Sequence, residues 1–536
     1  MLAAGQHALH PVPHAGRLSR IPHPLYYAMP HGEAAGDQVV DVAGRIGCVP
    51  RILAACRGRN PTLHPRSSTM PDPNVSEYKR KLISPVEAAS KVQSGMRVHL
   101  GGGANVARII DKYLAQRKDD LEGVLVQTYL DMAELETCKV DPRGESFEWR
   151  CAYVAGPMRA ISRERGIGFC IPEAWHTAPR VVRGQYHYDF FFLVTAPLDE
   201  AGQFSFGLTG GHTMAIADVA DKIVLIVHRD MPSIHGGLED RIHISRVDWI
   251  VEDDEFSTFT LPRQEALKED LEIAQNILRS NLIGDGSTLQ FGIGGLPSAV
   301  ADCLGTSGVR KCGLHTEMLT DEMVRLVEAG LVDNSEKSLD AGKSVFTFCL
   351  GSRKLYDHLD HNPSFAMGSV DYTNHPFVIA QQPRMFSLNS AAQIDLTGQV
   401  ASEQLQPAGD RRPFQISGTG GQLDFVLGTL FSRDGQGVSV LGLYSVYKGQ
   451  SRIVPLLDRG TCVTVPRTLV QYVATEWGVA NLRGLSIQER VNALIGIAHP
   501  DHRDALARSA TDLGMIPYKN VRLDRTVPGI VFGRER

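Results

Sequence analysis

Apolar positions recur along the chain with two different periods, one helical and one extended. Residues 263–282 carry apolar side chains three or four positions apart, which predicts a helix with one buried face. The glycine-rich turn 284–286 ends that pattern, and the segment 287–291 is predicted to form a short strand. A glycine loop begins at Gly292, directly after that strand. Helix, turn, strand and glycine loop in this order are typical of an α/β protein.

The same order occurs earlier in the chain. A predicted helix over 85–92 and a predicted strand over 96–100 stand before the three glycines 101–103. The glycines that bracket the two predicted strands keep a constant offset of 191 residues (286 − 95 and 292 − 101). The pattern therefore indicates an internal duplication.

A second pair of segments supports the duplication at a larger offset. Asp189-Phe190 and Asp424-Phe425 are 235 residues apart (424 − 189), and both are interpreted as the start of a buried strand. About 44 residues (235 − 191) would then be inserted in the second copy. The predicted fold class is α/β, with two related open α/β/α domains, mainly parallel sheets and an active site between the halves.

The predicted domains are an N-terminal domain over 76–270 and a C-terminal domain over 271–536. Residues 1–75 differ from both, because they are rich in His, Pro and Arg and show no sustained period. They are interpreted as a disordered or mis-assigned extension, with Met70 as an alternative start. An organellar transit segment is the less favoured alternative, because several prolines would interrupt an amphipathic targeting helix.

Glu317 stands at a predicted strand-to-helix junction. It follows the end of a predicted strand over 309–314 and precedes a helix that is predicted to begin near Thr320 and to end near Gly330. Open α/β sheets bind ligands outside the carboxyl ends of their strands, which is where this junction places Glu317. From position alone, a solvated or capping residue is the commoner role. An ordinary glutamate, with a pKa of about 4.3, is predicted to be ionised at neutral pH.

Composition and charge exclude several classes of protein. A formal net charge of -5 over 536 residues, without a cluster of Lys and Arg, argues against a nucleic-acid partner. Nine scattered cysteines without a CxxC pattern indicate reduced thiols and hence a cytoplasmic protein. The longest apolar runs, such as 190–194 and 223–227, are too short to cross a bilayer.

Familiar cofactor and metal motifs fail on spacing. Gly292 and Gly294 would begin a dinucleotide-binding loop, but the third glycine position holds Pro297. The segment 315–317 matches the first half of a zinc-deaminase signature, and no Pro-Cys-x-x-Cys follows it. The sequence therefore predicts neither a metal nor a permanently bound cofactor.

Three features remain as candidates for chemistry: Glu317, the loop 292–297 and the glycine run 417–425, which is interpreted as joined to a buried strand. A tight turn is the plain alternative for either glycine run. Taken together, a carboxylate and two loops of unhindered backbone N–H groups indicate acyl chemistry, because such donors stabilise the oxyanion of an acyl-transfer step.

Six ordered motifs carry a resemblance to a known family. They are HISRVDWIVE (243–252), GIGGLPSAV (292–300), GLHTEM (313–318), SLNSAAQIDLTGQVASE (387–403), GTGGQLDF (418–425) and VATEWGVANLRG (473–484). On these motifs the chain resembles the class I coenzyme A transferases of the acetyl-CoA hydrolase/4-hydroxybutyrate CoA-transferase type. The resemblance extends from about residue 77 to the C-terminus.

The resemblance assigns roles to the three candidate features. Glu317 takes the position of the family's nucleophile. Gly420 or Gly421 would supply one backbone donor to the oxyanion hole. The CoA site and further oxyanion donors would come from the loop Gly292, Ile293, Gly294, Gly295, Leu296 and Pro297.

Three further residues are implied in the same way. Asn374 matches the family's active-site amide and Glu476 its second carboxylate. Lys448 matches a CoA-binding position, although its surroundings, LYSVYKGQ, depart from the family's usual small-residue pattern.

The predicted function is an acyl-CoA:carboxylate CoA-transferase that works by ping-pong exchange through a glutamyl-CoA thioester. Coenzyme A and acyl-CoA would be substrates, and the acceptor would be acetate or a short-chain carboxylate such as propionate, succinate or 4-hydroxybutyrate. An acyl-CoA hydrolase that uses the same glutamate and a non-catalytic CoA-binding protein remain as alternatives. Relatives imply a homodimer or a larger homo-oligomer.

Overall fold

A parallel β-sheet is the frame of the first half of the chain. Its strands, with a small additional pair, are β1 (Arg97–Gly103), β2 (Val124–Asp131), β3 (Phe147–Cys151), β4 (Tyr188–Thr195), β5 (Gln203–Ser205), β6 (Ala220–Val227), β7 (Arg241–His243) and β8 (Trp249–Glu252). Six of them form one sheet in the order β3-β2-β1-β4-β6-β8, and all its pairs are parallel. The helices are α1 (Pro73–Lys81), α2 (Pro85–Ser90), α3 (Arg108–Ala115), α4 (Glu136–Val140), α5 (Arg159–Arg165), α6 (Ala178–Gln185) and α7 (Thr213–Val219).

The second half contains a related sheet and several small additions. Its strands are β9 (Thr288–Phe291), β10 (Gly313–Leu314), β11 (Met318–Leu319), β12 (Ser344–Phe346), β13 (Phe348–Cys349), β14 (Phe365–Met367), β15 (Phe386–Ser390), β16 (Gln393–Asp395), β17 (Val400–Ala401), β18 (Gln404–Leu405), β19 (Phe414–Gln415), β20 (Val438–Gly442), β21 (Val446–Tyr447), β22 (Gln450–Ser451), β23 (Ile453–Val454), β24 (Tyr472–Thr475), β25 (Gly478–Asn481) and β26 (Ile530–Gly533). Its helices are α8 (Lys268–Arg279), α9 (Gly295–Gly305), α10 (Asp321–Glu328), α11 (Arg353–Leu359), α12 (Val370–Thr373), α13 (Pro376–Ile379), α14 (Gln422–Leu430), α15 (Ile487–Gly496) and α16 (Pro500–Asp512).

Strand order confirms that the two halves are related. Five strands of the first sheet lie in the order β2-β1-β4-β6-β8, and five of the second lie in the order β10-β9-β15-β20-β24, each set parallel throughout. The strand predicted over 96–100 is β1 and the one predicted over 287–291 is β9, so the offset of 191 joins equivalent strands. Two antiparallel strands, β25 and β26, extend only the second sheet.

The larger offset is wrong as a structural equivalence. Asp189-Phe190 lies in β4, as predicted, but Asp424-Phe425 lies in helix α14. By its place in the sheet, the counterpart of β4 is β15. The error has a physical cause, since a short, fully buried apolar run has no polar face and its period does not separate strand from helix.

One helix and one strand of the second half are shorter than predicted. The helix predicted over 263–282 is α8, Lys268–Arg279, and the Asp270 carboxylate in its first turn accepts the Leu267 backbone N–H at 2.9 Å. The strand predicted over 309–314 is reduced to Gly313–Leu314. Helix α10 begins after Thr320 and is followed at Gly330 by a left-handed φ of 69°, as predicted for its C-terminus.

The computed structural model describes residues 73–263, 265–292, 294–406, 409–517 and 530–533. These residues belong to one compact unit, Met70–Arg536. The predicted N-terminal extension lies outside the described residues up to position 72, and the domain boundary near residue 270 stays a prediction. Within the described ranges, the helices are too short or too polar to span a membrane.

Candidate active site

Glu317 lies in the short connection between β10 and β11, at the carboxyl end of the second sheet. Its carbonyl oxygen accepts hydrogen bonds from the backbone N–H groups of Thr347 (3.0 Å) and Phe348 (3.2 Å). The neighbouring Thr316 N–H donates to the carbonyl of Val345 at 2.9 Å. These backbone bonds fix the residue on both sides, so its carboxylate is presented from a rigid part of the fold.

The Glu317 carboxylate is held by two donors. The Asn374 side-chain Nδ2 donates to Oε2 at 2.6 Å, and the backbone N–H of Gly421 donates to the same carboxylate. Gly421 immediately precedes helix α14, so the carboxylate also meets the positive end of that helix. A Cβ at position 421 would lie 1.9 Å from Oε2, which explains why this position requires glycine.

Enclosure by the protein raises the pKa of Glu317 to about 8. The hydrogen bond from Asn374 lowers this pKa, the charge of Asp424 raises it, and the N–H of Gly421 lowers it. The prediction of a carboxylate ionised at neutral pH is therefore wrong for the ligand-free site, because loss of water outweighs the two donors. About a tenth of the molecules would carry the charge at pH 7.

The loop after β9 forms another side of the site. Gly292 and Gly294 line the cavity beside Glu317, and Gly294 adopts a φ of 122° where helix α9 begins. A Cβ at Gly295 would lie 2.4 Å from the Asp270 carboxylate, so this residue also needs to be glycine. Ile293 lies outside the described residues. The described residues Gly292 and Gly294 thus present backbone to the cavity.

The last two residues of the predicted loop belong to the core. Leu296 and Pro297 are buried in the first turn of α9 and are absent from the described cavity wall. Leu296 packs so closely on Gly442 that a Cβ there would lie 2.4 Å from its Cδ2. This packing of Leu296 on Gly442 anchors the loop against β20.

Glu476 and Lys448 are not brought to Glu317. The Glu476 carboxylate accepts the Ser445 backbone N–H at 3.0 Å and the Ser445 hydroxyl. Lys448 lies at the tip of the β21–β22 hairpin, with a φ of 50° and its Nζ 5.5 Å from the Tyr447 ring centroid. Neither belongs to the described cavity wall, and their roles stay predictions.

A cavity of about 570 Å³ opens in front of Glu317 and is lined by both halves of the chain. Gly292, Gly294, Gly420 and Gly421 contribute backbone from the second half. The first half contributes aliphatic, small and polar residues together with an aromatic wall, which consists of Tyr129, Tyr153, Trp175, Tyr186, His212 and Phe259. The cavity therefore combines a polar region around the carboxylate with this aromatic wall.

No feature of the sequence predicted this aromatic wall. Tyr129 lies near the carboxyl end of β2, so the rule that placed Glu317 would also have found it. The Trp175 indole donates to His212 Nδ1 at 3.1 Å, an unsignalled contact between residues distant in sequence. Burial lowers the pKa of His212 to about 3, so its ring is neutral. This wall carries no positive charge from the imidazole.

Among the described residues, the groups that could hold a metal ion reduce to His187, Asp189 and Asp221. His187 and Asp221 are more than half exposed and form an ion pair at 3.3 Å, and the Asp189 carboxylate accepts the Arg97 N–H. The His187–Asp221 ion pair and the Arg97–Asp189 hydrogen bond account for this cluster.

Family models match both halves of the chain. Residues 67–262 match the acetyl-CoA hydrolase/transferase N-terminal domain and residues 351–510 match the C-terminal domain of the same name. The chain belongs to the acetyl-CoA hydrolase/transferase family. Its membership confirms the resemblance drawn from the six motifs.

Members of the acetyl-CoA hydrolase/transferase family similar to this chain carry transferase names. A probable butyrate:acetyl-CoA coenzyme A-transferase of Syntrophomonas wolfei is 38% identical over 82% of this chain and 97% of its own. A butyryl-CoA:acetate CoA-transferase of Anaerostipes caccae is 36% identical over 81% of this chain and 96% of its own. The crystal structure of RipA from Yersinia pestis superposes with a TM-score of 0.73 at 33% identity, covering 83% of this chain and 100% of RipA.

Proposed function

We propose that this family member is an acyl-CoA:carboxylate CoA-transferase in which Glu317 is the nucleophile. The observation that carries the proposal is the Glu317 carboxylate held between the Asn374 amide and the Gly421 N–H, on the wall of an enclosed cavity. The transferase names of relatives that match nearly their whole length support it.

The reaction would proceed in two reversible halves. The Glu317 carboxylate adds to the thioester carbonyl of the donor, and the C–S bond then breaks, which releases CoA as a thiolate and leaves an acyl-glutamyl anhydride. The thiolate then attacks the glutamyl carbonyl, which releases the first carboxylate and leaves a glutamyl-CoA thioester. A second carboxylate repeats these steps in reverse and leaves as the new acyl-CoA. Because one thioester replaces another, the exchange needs little net driving force.

Each addition places negative charge on a carbonyl oxygen next to Glu317. Backbone N–H groups near Gly420 and Gly421, and those of the loop at Gly294, lie on the cavity wall where this charge would develop. Loss of one such donor typically raises the barrier by about 3 kcal/mol. Enclosure by both halves also protects the anhydride from water.

We propose an apolar monocarboxylate as the preferred acceptor. The aromatic wall of the first half offers no charge from His212 to a second carboxylate. Among the described lining residues, Arg159 is the one Lys or Arg side chain, and its Nε already donates to the Ile416 carbonyl at 2.8 Å. The relatives named for butyrate and acetate lead us to propose the same pair as first substrates, with the chain assembled as a homodimer or larger oligomer.

Consumption of butyryl-CoA with and without acetate tests the proposal. Formation of acetyl-CoA in proportion to the butyryl-CoA lost is expected only when acetate is present. Release of CoA at the same rate without acetate would identify a hydrolase instead. Glu317→Gln is expected to abolish exchange while CoA binding, measured by isothermal titration, is retained.

A further inference from the structure

A turn of the first half reaches into the site of the second half. The turn Trp175–Thr177 precedes helix α6 and bonds to the glycine run before α14. The Trp175 N–H donates to the Gly420 carbonyl at 3.4 Å, and the His176 N–H donates to Asp424 Oδ2 at 3.1 Å. One turn thus contacts both the backbone donor loop and the first turn of the helix behind it.

The His176 side chain continues this contact. Its Nδ1 lies 2.7 Å from Asp424 Oδ1, and Asp424 is fully buried. Asp424 Oδ2 also accepts from Asn374 Nδ2 at 3.5 Å, while the same amide nitrogen donates to Glu317 at 2.6 Å. The side chains therefore form a hydrogen-bonded row from the first half to the proposed nucleophile, in the order His176, Asp424, Asn374 and Glu317.

Asp424 determines which end of the Asn374 amide faces Glu317. An asparagine side chain has a donor end and an acceptor end, whereas an ionised carboxylate only accepts. The NH₂ end of the amide lies between the two acidic side chains, and its nitrogen donates to both. An amide at position 424 would offer a donor, and the Asn374 oxygen would turn toward it, which takes the Asn374 donor away from Glu317.

His176 holds the Asp424 carboxylate in place. A buried carboxylate needs hydrogen-bond donors within the protein, because water does not reach it. The imidazole N–H supplies one donor, and the His176 backbone N–H supplies a second. Both donors come from the first half, so closing the two halves together completes the arrangement around Glu317.

We propose that His176 and Asp424 are positioning residues that fix the Asn374 amide, donor end first, against the nucleophile Glu317. The inference rests on the proposed function, since it concerns the orientation of that nucleophile. It extends the site from the second half to a residue of the first half that lies outside the six sequence motifs.

The charged and titratable groups around this row come from several elements. The His375 ring centroid lies 5.5 Å from that of His176, and His375 Nδ1 accepts the Phe377 N–H at 3.2 Å. Glu173 interacts electrostatically with His176 and Tyr153 with Glu317, while Asp371 and Arg180 act on the neighbouring His375.

Three variants test the proposal in the full-length protein: His176→Ala, His176→Asn and Asp424→Asn. The readout is the rate at which enzyme mixed with butyryl-CoA, without acceptor, gains CoA. His176→Ala is expected to slow this step about tenfold to a hundredfold, the range for losing one hydrogen bond to a charged group. His176→Asn is expected to recover most of the rate, because its amide N–H stands where Nδ1–H stood. Asp424→Asn is expected to slow the step and to move the acid limb of the pH profile upward, since the Asn374 bond that lowers the pKa of Glu317 is lost and outweighs removal of the Asp424 charge that raises it.

His187→Ala is the matched control, because His187 also pairs with an aspartate, at 3.3 Å, but is exposed and outside the described cavity wall. The rate at which His187→Ala gains CoA is expected to match that of the wild type. Wild-type rates in His176→Ala would overturn the proposal. So would loss of CoA binding and thermal stability in proportion to the rate, with His176→Asn no better than His176→Ala. If the wild type itself gains no CoA, the proposed function fails rather than this inference.

Discussion

Replacing Asn374 by alanine should change the pH at which the enzyme becomes active. Asn374 Nδ2 donates to the Glu317 carboxylate at 2.6 Å in an enclosed site, and this bond lowers the Glu317 pKa, which nevertheless stands at about 8. Hydrogen bonds to charged groups contribute roughly 1.5–3 kcal/mol, and one pH unit corresponds to about 1.4 kcal/mol. Without the bond, the acid limb should move upward by at least about one pH unit.

The direction of this pH shift follows from the protonation state in which Glu317 reacts. Only ionised Glu317 attacks the thioester, so kcat/KM should rise with pH through the pKa of the free enzyme. At pH 7 the variant should lose about tenfold or more from ionisation alone, and should recover part of this loss above pH 9.

The assay is kcat/KM for butyryl-CoA and acetate measured from about pH 5.5 to 10, with CoA binding followed in parallel. A wild-type acid limb near pH 5 would refute the reasoning, because it would mean that enclosure does not control the charge of Glu317. A downward movement in Asn374→Ala would refute the role of the amide.

Three further predictions concern single contacts. Gly421→Ala should lower the exchange rate more than a hundredfold with little change in Tm: a φ of -94° suits any residue, but the new Cβ would lie 1.9 Å from Glu317 Oε2. Gly284→Ala is the control, because no atom lies within 4 Å of its new Cβ, and equal losses of rate in both variants would contradict the clash. Glu317→Gln should raise Tm more at about pH 8.5 than at pH 5. Because the pKa of Glu317 in the folded protein is raised to about 8, the wild type loses stability as pH rises toward that value, whereas the glutamine variant has no such loss. The same gain at both pH values would argue against a raised pKa. Tyr444→Phe should lower the free energy of unfolding in urea by about 1 kcal/mol, through loss of the 2.7 Å bond to Asp270 beneath the Gly295 loop, and an unchanged value would contradict that contribution.

The parts of the site that the sequence predicted are those with a local signature. Glu317 stands at the end of a strand, and the glycines at 292 and 294 interrupt an apolar pattern, so both stand out in one dimension. Asn374 was assigned through the family resemblance alone, and the structure places it against Glu317. These residues lie near chain turns, where backbone chemistry constrains the choice of residue.

The parts that were missed depend on contacts between distant segments. His176 and Asp424 are 248 residues apart and meet only when the halves close. The Glu317 pKa depends on enclosure, which no local pattern records. Helix α14 was mistaken for a strand because its buried residues, including Asp424 and Phe425, leave no polar stripe to reveal a helical period.

The central claim is that Glu317 alternately carries an acyl group and CoA. Mass spectrometry of the full-length protein mixed with butyryl-CoA, with every acceptor carboxylate withheld, tests it most directly. The account predicts a gain equal to CoA less one water, confined to the peptide that contains Glu317 and absent from Glu317→Gln. An unmodified wild-type protein, or the same adduct in Glu317→Gln, would contradict it.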